Sequence, residues 1–175
     1  MVQSLLQHQF MLPILIHNKK GIAVVEILIV ISIIAIIISS LLGVVVFSLK
    51  LSASVKETTT ADALTQEIVE AVRNFRDGTD WDSDGLGVLN TGSAYYPEKS
   101  GDTPPAWMLI GGEETINGFI RKVVFERVSR DPGTGNIEDI YNPGQDDSDT
   151  RKITATVSWE SKKVEIITYF TNWKQ

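Results

Sequence analysis

The chain has 175 residues, which leaves room for about one folded domain beside a membrane segment. Its 16 basic and 22 acidic residues give a formal charge of −6, so a general nucleic-acid-binding surface is disfavoured. It has no cysteine, and its two histidines, His8 and His17, both precede Gly21. Thiol chemistry is therefore excluded, and imidazole chemistry is excluded from any chain that is cut after Gly21. Serine–lysine and carboxylate chemistry remain open, but the composition predicts a protein that is not an enzyme.

A long apolar run begins near the N-terminus. No residue between Glu26 and Lys50 is charged, and this stretch exceeds the roughly 20 apolar residues that a helix needs to cross a bilayer. Lys19 and Lys20 precede the run, and basic flanks tend to stay on the cytoplasmic side. We therefore expect a single-pass transmembrane helix over residues 22–49, with its N-terminus in the cytoplasm and the rest of the chain beyond the membrane.

A carboxylate, Glu26, lies inside this run. An ionised carboxylate in a bilayer is costly and persists mainly where a partner or a water path offsets that cost. Cleavage after Gly21 would create a cation, because the freed α-amino group of Ile22 stays protonated near neutral pH. The amine would pair with Glu26 of a neighbouring helix, which fixes the axial register, or with its own Glu26 one turn away. Alternatively, the segment is a plain signal anchor whose Glu26 reaches interfacial water.

Basic residues, a glycine, four apolar residues, a glutamate and an apolar helix follow one another in KKGIAVVEILIV, residues 19–30. This order resembles the class III signal of type IV pilin precursors and of the pseudopilins of type II secretion. The resemblance covers residues 17–50. It implies that a prepilin peptidase removes a leader, residues 1–21, by cutting after Gly21, and that the new first residue, Ile22, is N-methylated. The chain departs from the family in beginning its mature part with isoleucine, where phenylalanine is usual.

The resemblance also implies a function and partners. Subunits of this family wait in the cytoplasmic membrane, and an inner-membrane assembly platform then moves them into an extracytoplasmic pilus or pseudopilus. We therefore expect a structural fibre subunit, in the manner of a minor pilin or pseudopilin, in which Glu26 pairs with the N-terminal amine of a neighbouring subunit. Its partners would be the peptidase, the platform, membrane lipid and other subunits. Translation could begin at Met1 or at Met11, which would give a shorter leader. The alternatives are a membrane-anchored extracytoplasmic binding module that does not polymerise and an anchored hydrolase.

Beyond the apolar run, apolar residues recur at spacings of three and four over residues 55–75, as on one face of an amphipathic helix. No proline interrupts residues 22–77. This segment is therefore predicted to continue the membrane helix over residues 50–77, to pack on a sheet and to end at Asp77-Gly78. The apolar stripe consists of Ala61, Leu64, Ile68, Ala71, Val72 and Phe75.

Residues 78–175 are predicted to form an extracytoplasmic region that begins with a long loop, 78–118, rich in Gly, Asp, Ser and Pro. Runs of β-branched and aromatic residues then predict antiparallel strands and a C-terminal hairpin. The strands cover 119–128, 153–159 and 164–173, with short extended pieces at 94–96 and 107–110. The predicted fold class is α+β: a long N-terminal helix, part transmembrane and part amphipathic, packed on a small C-terminal antiparallel sheet.

The loop contains a possible cation-binding motif. Its segment DWDSDG, residues 80–85, has the D-x-D-x-D-G opening of a calcium loop, in which alternate carboxylates and a tight glycine turn wrap a hard cation. The closing glutamate is missing, because Thr91 holds the twelfth position. Backbone carbonyls or the acidic segment 146–149 would have to complete the shell, and such aspartates also form ordinary solvated turns. The candidate calcium ligands are Asp80, Asp82 and Asp84.

Two weaker patterns concern the terminal hairpin and the tryptophans. A basic cluster is predicted to lie across it, formed by Arg151, Lys152, Lys162 and Lys163. The cluster would suit DNA or an acidic neighbour, although charges that keep a sheet edge soluble are the commoner explanation, so DNA is an unlikely partner. Three tryptophans are expected to pack in the core or on the sheet rather than to bind carbohydrate. They are Trp107, Trp159 and Trp173.

Overall fold

The structure is a computed structural model that describes residues 19–173, with side chains from Ala23 onward. The leader predicted over residues 1–21 therefore lies almost entirely outside the described residues. The chain divides into two compact units, Met1–Leu51 and Ser52–Gln175, and each is considered by itself.

One helix, α1, extends from Lys19 to Gly78 without a break. The predicted continuation of the apolar helix and its end at Asp77-Gly78 are therefore confirmed. Within the second unit, the predicted stripe faces the sheet, since Ala61, Ile68 and Val72 are completely buried. Leu64 and Phe75 pack partly buried against the same core. Spacings of three and four place all these residues on one side of the helix, which explains why this side is apolar.

A six-stranded antiparallel sheet forms the other layer of the second unit. The strands follow the order β2-β1-β4-β5-β6, and β3 pairs with β4 at one end. A short 3-10 helix, Pro143–Gln145, precedes β5. The strands are β1 Ala94–Lys99, β2 Trp107–Gly111, β3 Glu114–Ile116, β4 Phe119–Ser129, β5 Asp146–Trp159 and β6 Lys162–Thr171. The predicted α+β class is confirmed.

The central strands bury alternate residues against the helix. On β5, Ile153, Ala155 and Val157 are completely buried, whereas the residues between them are only half-buried. Alternation places successive side chains on opposite faces of the sheet, so one face contacts the helix and the other meets solvent. Phe125 of β4 and Phe170 of β6 complete the buried layer. The core of the second unit therefore lies between the amphipathic face of α1 and β4, β5 and β6.

Two features of the sheet were not predicted. Strand β3 lies inside the predicted loop and forms a hairpin with β4 through Asn117 and Gly118, both with positive φ. Asn-Gly is the preferred pair for such a two-residue turn. Strand β5 begins at Asp146, seven residues before the predicted start at Ile153, because its polar first half pairs with β4 across a bulge at Arg127/Val128.

Candidate assembly site

The first unit exposes an almost continuous apolar surface on α1. From Val24 to Leu49 the large apolar side chains have exposed fractions between 49% and 68%. By length and composition, one helix with the candidate span Ala23–Gly78 is able to cross a membrane, and its most apolar 18-residue window has a mean hydropathy of 3.0. Such a surface is stable only when lipid or other apolar groups cover it.

Four serines interrupt this surface, and the hydroxyls of three of them, Ser32, Ser39 and Ser40, donate within the helix. Ser32 Oγ donates to the carbonyl of Leu28 at 2.7 Å. Ser39 and Ser40 donate in the same way to the carbonyls four residues before them, at 2.8 and 2.9 Å. These hydroxyls therefore need no partner outside the helix, as is usual for serine in apolar helices.

Glu26 differs from the serines. It is exposed, and among the side chains that the structure describes, from Ala23 onward, none forms an ion pair or hydrogen bond with it. Gly21 and Ile22 lie in the first turn of α1, where only their backbone is described. Cleavage after Gly21, methylation of Ile22 and the pairing of Glu26 with an amine remain predictions.

The predicted calcium loop follows the end of α1, and two of its carboxylates cap the loop itself. Asp80 Oδ1 accepts from the backbone N–H of Asp82 at 3.1 Å and from Ser83 N–H and Oγ at 3.2 and 3.0 Å. Asp84 Oδ1 accepts from the Asp80 N–H at 2.8 Å. Between residues 19 and 173, no group of three acidic, His or Cys side chains is arranged to hold a metal ion. Calcium at Asp80, Asp82 and Asp84 therefore stays a prediction.

The glycine that ends the motif is required by backbone crowding. A Cβ on Gly85 would lie 2.5 Å from the carbonyl oxygen of Asp80 and 2.9 Å from the Trp81 Cα. Gly87 is equally constrained, because a Cβ there would lie 2.5 Å from the Trp81 carbonyl oxygen. The loop is thus a tight turn that folds over its own backbone, and only glycine fits at these two positions.

Trp81 and Arg151 join this loop to the start of β5. Both side chains are 6% exposed. The Trp81 indole donates to the Ser148 carbonyl at 3.1 Å, and Arg151 donates to the carbonyls of Gly87 and Ser148 at 2.9 and 3.0 Å. Burial lowers the pKa of Arg151, an effect that nearby Asp146, Asp147 and Asp149 partly oppose. The structure therefore joins the loop after α1 to the start of β5 through the Trp81 indole and the Arg151 guanidinium group, a contact that was not predicted.

The carboxylates of the second acidic segment, residues 146–149, bind nearby side chains. Asp147 pairs with Arg130 at 2.5 Å. Asp146 accepts from the Tyr141 hydroxyl at 2.9 Å, and Asp149 accepts from the side-chain amide of Asn172 at 3.2 Å. These contacts fix the beginning of β5.

The prediction of one basic cluster across the terminal hairpin is wrong. Arg151 pairs in register with Phe170, whereas Lys162 pairs with Trp159 at the other end of the hairpin. The two positions are eight residues apart along β5, a distance of roughly 26 Å along a strand. Moreover, Arg151 faces the core and Lys152 faces the opposite side. The hairpin therefore offers no joined basic surface to DNA.

The tryptophans differ in their surroundings. Trp159 is buried at 6% exposure and its ring packs against Phe119 at a centroid distance of 5.5 Å, as predicted. Trp107 is half-buried beside the Lys99 ammonium group, 5.0 Å from the ring centroid. Trp173 is 61% exposed and donates to Asp77 at 3.2 Å, so the core-packing prediction is wrong for this residue.

Comparisons of the chain with protein-family models, with curated proteins and with solved structures found no match in any of the three. The functional interpretation therefore rests on the residues and the fold.

Proposed function

We propose that the chain is a structural subunit of a type IV pilus-like or type II secretion pseudopilus fibre. It is made as a single-pass precursor in the cytoplasmic membrane, loses its leader after Gly21 and enters the fibre through the assembly platform. The apolar part of α1 forms the fibre core with the same helices of other subunits. The acidic second unit faces solvent outside the membrane, and no catalytic residue is assigned.

Glu26 is the observation that carries this proposal. It is the only charged residue between Val24 and Leu49, where all the large apolar side chains are exposed, and the described side chains provide no partner for it. A carboxylate in apolar surroundings is strongly destabilising unless a cation offsets it. The amine of Ile22 in a neighbouring mature subunit supplies such a cation at the same depth of the bundle. A pair between two subunits stabilises a single axial stagger, which a regular fibre requires.

Alternatively, the chain is an anchored binding module that stays in the membrane. In that case the leader is retained and Glu26 lies at the interface, where water solvates it. The two proposals therefore differ in what happens at Gly21.

An N-terminal mass measurement tests the proposal. The protein would be isolated from cells with and without prepilin peptidase, and the N-terminal peptide would be sequenced by mass spectrometry. We expect Ile22 as the first residue, carrying a methyl group, only in cells that contain the peptidase. A Gly21→Leu variant, which changes the residue before the cut, should keep its leader in both strains. A leader that remains on the parent chain in both strains would overturn the proposal.

A further inference from the structure

The first helical turns of the second unit lie outside the core. We call residues 52–60 the neck, because they precede Ala61, the first completely buried residue of α1. Only Ser54 and Glu57 of the neck are half-buried, and its other residues are exposed. Apolar packing, which usually stabilises a helix in a protein, is therefore almost missing from this segment.

The sequence of the neck, SASVKETTT, is a poor helix former. Serine, valine and threonine all have lower helix propensity than alanine, leucine or lysine. The three successive threonines also donate their hydroxyls to the carbonyls four residues before them, at 3.0, 2.9 and 2.9 Å. Such bonds slightly destabilise and often bend a helix. Neither packing nor propensity accounts for the helical neck.

The β5–β6 hairpin supplies the contact that the neck otherwise lacks. Glu57 Oε2 accepts from the Trp159 indole N–H at 3.2 Å and from the Lys162 ammonium group at 3.0 Å. The same ammonium group lies 3.3 Å from Ser54 Oγ. Residues 54 and 57, one helical turn apart, are the two half-buried positions of the neck. The hairpin thus covers one side of this segment through these polar contacts.

The two donors are well placed by the sheet. Trp159 is held in the core, so its indole N–H has a fixed direction. Lys162 is the direct cross-strand partner of Trp159, across the two-residue turn at Glu160 and Ser161. Its ammonium group also lies 5.8 Å from the centre of the Trp159 ring. The hairpin end therefore presents two preorganised donors to a single carboxylate.

We propose that Glu57, Trp159 and Lys162 form a latch that keeps the neck helical, and that opening the latch unwinds the neck while the rest of the second unit stays folded. A segment with little buried apolar surface and weak propensity opens locally at low free energy. With the latch closed, the neck is held against the β5–β6 hairpin. With the latch open, the neck unwinds into a longer and more flexible segment before Ala61. This inference does not depend on the fibre proposal.

Hydrogen exchange on the full chain in detergent micelles or lipid nanodiscs tests the latch. We expect Glu57→Ala to increase the exchange rate of the amides in residues 52–60 about fivefold, because an exposed ion pair and a charged hydrogen bond are lost together. Amides of residues 61–78 and of β4 to β6 should keep the parent rates. Glu70→Ala is the matched control, since Glu70 is also exposed and ion-paired, but only to Arg73 of the same helix.

A second variant approaches the latch from the hairpin. Lys162→Met keeps the apolar stem beside Trp159 and removes the charge, so it should also increase exchange in the neck, by a smaller factor than Glu57→Ala. Unchanged exchange of the neck in both variants would overturn the proposal. An equal increase over the neck and the sheet would also overturn it, because the contacts would then stabilise the whole unit.

Discussion

Arg121 of β4 and Glu67 of α1 connect the two layers of the second unit, with 3.2 Å between Nη1 and Oε1. The same guanidinium group donates to Glu114 of β3 at 2.6 Å and to the Pro97 carbonyl of β1 at 3.1 Å. The Arg121 side chain is only 7% exposed, whereas the side chains of Glu67 and Glu114 are 46% and 33% exposed. A single buried cation thus holds the helix and three strands together.

Removing the two ends of this connection should have unequal effects. We expect Arg121→Ala to lower the free energy of unfolding by about 2–3 kcal/mol, since several hydrogen bonds and a buried side chain are lost. Glu67→Gln should cost less than about 1 kcal/mol, because Glu114 still neutralises the guanidinium group. Urea unfolding of the full chain in detergent measures both values. Equal losses in the two variants would contradict this account.

Stability should fall in acid partly because of Asp147. Burial alone would raise the pKa of Asp147, but hydrogen bonds from Thr150, Arg130 and the Asp149 N–H hold it below the usual aspartate value. With a lowered folded pKa, the contribution to stability is complete above about pH 4, the unfolded value, and is lost as pH falls through the folded value.

Urea midpoints measured between pH 7 and pH 2 in the parent and in Asp147→Asn would show this contribution. The variant should lose less stability over the acid range. Arg130→Met, which removes the ion pair, should move the acid loss to higher pH. A parallel decline in the parent and Asp147→Asn would mean that Asp147 does not contribute.

Glu26→Ala should leave membrane insertion intact and lower incorporation into fibres on the order of tenfold, since each tenfold corresponds to about 1.4 kcal/mol and a charge pair in apolar surroundings exceeds this value. The measurement is a competition: tagged parent and variant are expressed together, and their ratio in sheared fibres is compared with that in membranes. Ser32→Ala is the control on the same helix, because its hydroxyl serves only its own backbone. Equal ratios in fibres and membranes would remove the charge-pair role of Glu26.

Calcium binding by the loop after α1 is tested by thermal unfolding with added calcium. A site in the folded protein should raise the free energy of unfolding by about 2.7 kcal/mol at a calcium concentration one hundred times Kd. Asp82→Asn is the informative variant, because Asp80 and Asp84 also cap the loop itself. It should abolish the calcium-dependent increase while leaving the stability without calcium unchanged. Magnesium at the same concentration is the ionic control, and an equal effect of both ions would argue against a calcium site.

Gly85→Ala should lower the free energy of unfolding by about 2 kcal/mol, since a methyl group there would press against backbone atoms of Asp80 and Trp81. Gly78→Ala is the control, because a Cβ at Gly78 meets no atom within 4 Å. Thermal or urea unfolding of the two variants would compare them. A Gly85→Ala chain as stable as the control would mean that the turn relaxes easily.

The helix and the central strands were predictable because their patterns are local. A period of three and four identified the face of α1 that carries Ile68 and Val72, and alternation identified the buried side of β5. The error over Arg151 was avoidable on the same grounds. Arg151 lies two residues before Ile153, so alternation places it on the same inner face as Ile153, Ala155 and Val157. Lys152 lies on the opposite face.

Other features depend on contacts between distant residues. The polar first half of β5 becomes a strand only because β4 pairs with it, and no local pattern indicates this. Glu57 and Trp159 meet across 102 residues of sequence. The Trp81 indole likewise reaches Ser148 only after the loop folds over its glycines. Such contacts follow from how the layers come together, so the contacts of Glu57 and of Trp81 were visible only in the structure.

The serine hydroxyls of α1 have a consequence for how the helix partitions between phases. Because the hydroxyls of Ser32, Ser39 and Ser40 donate to backbone carbonyls of the same helix, they leave no unsatisfied donor exposed to hydrocarbon. Besides the Ser48 hydroxyl, the carboxylate of Glu26 is then the polar side chain of residues 23–49 that adds most to the free energy of transfer into hydrocarbon. In the proposed fibre, pairing of Glu26 with the amine of a neighbouring subunit would offset this cost.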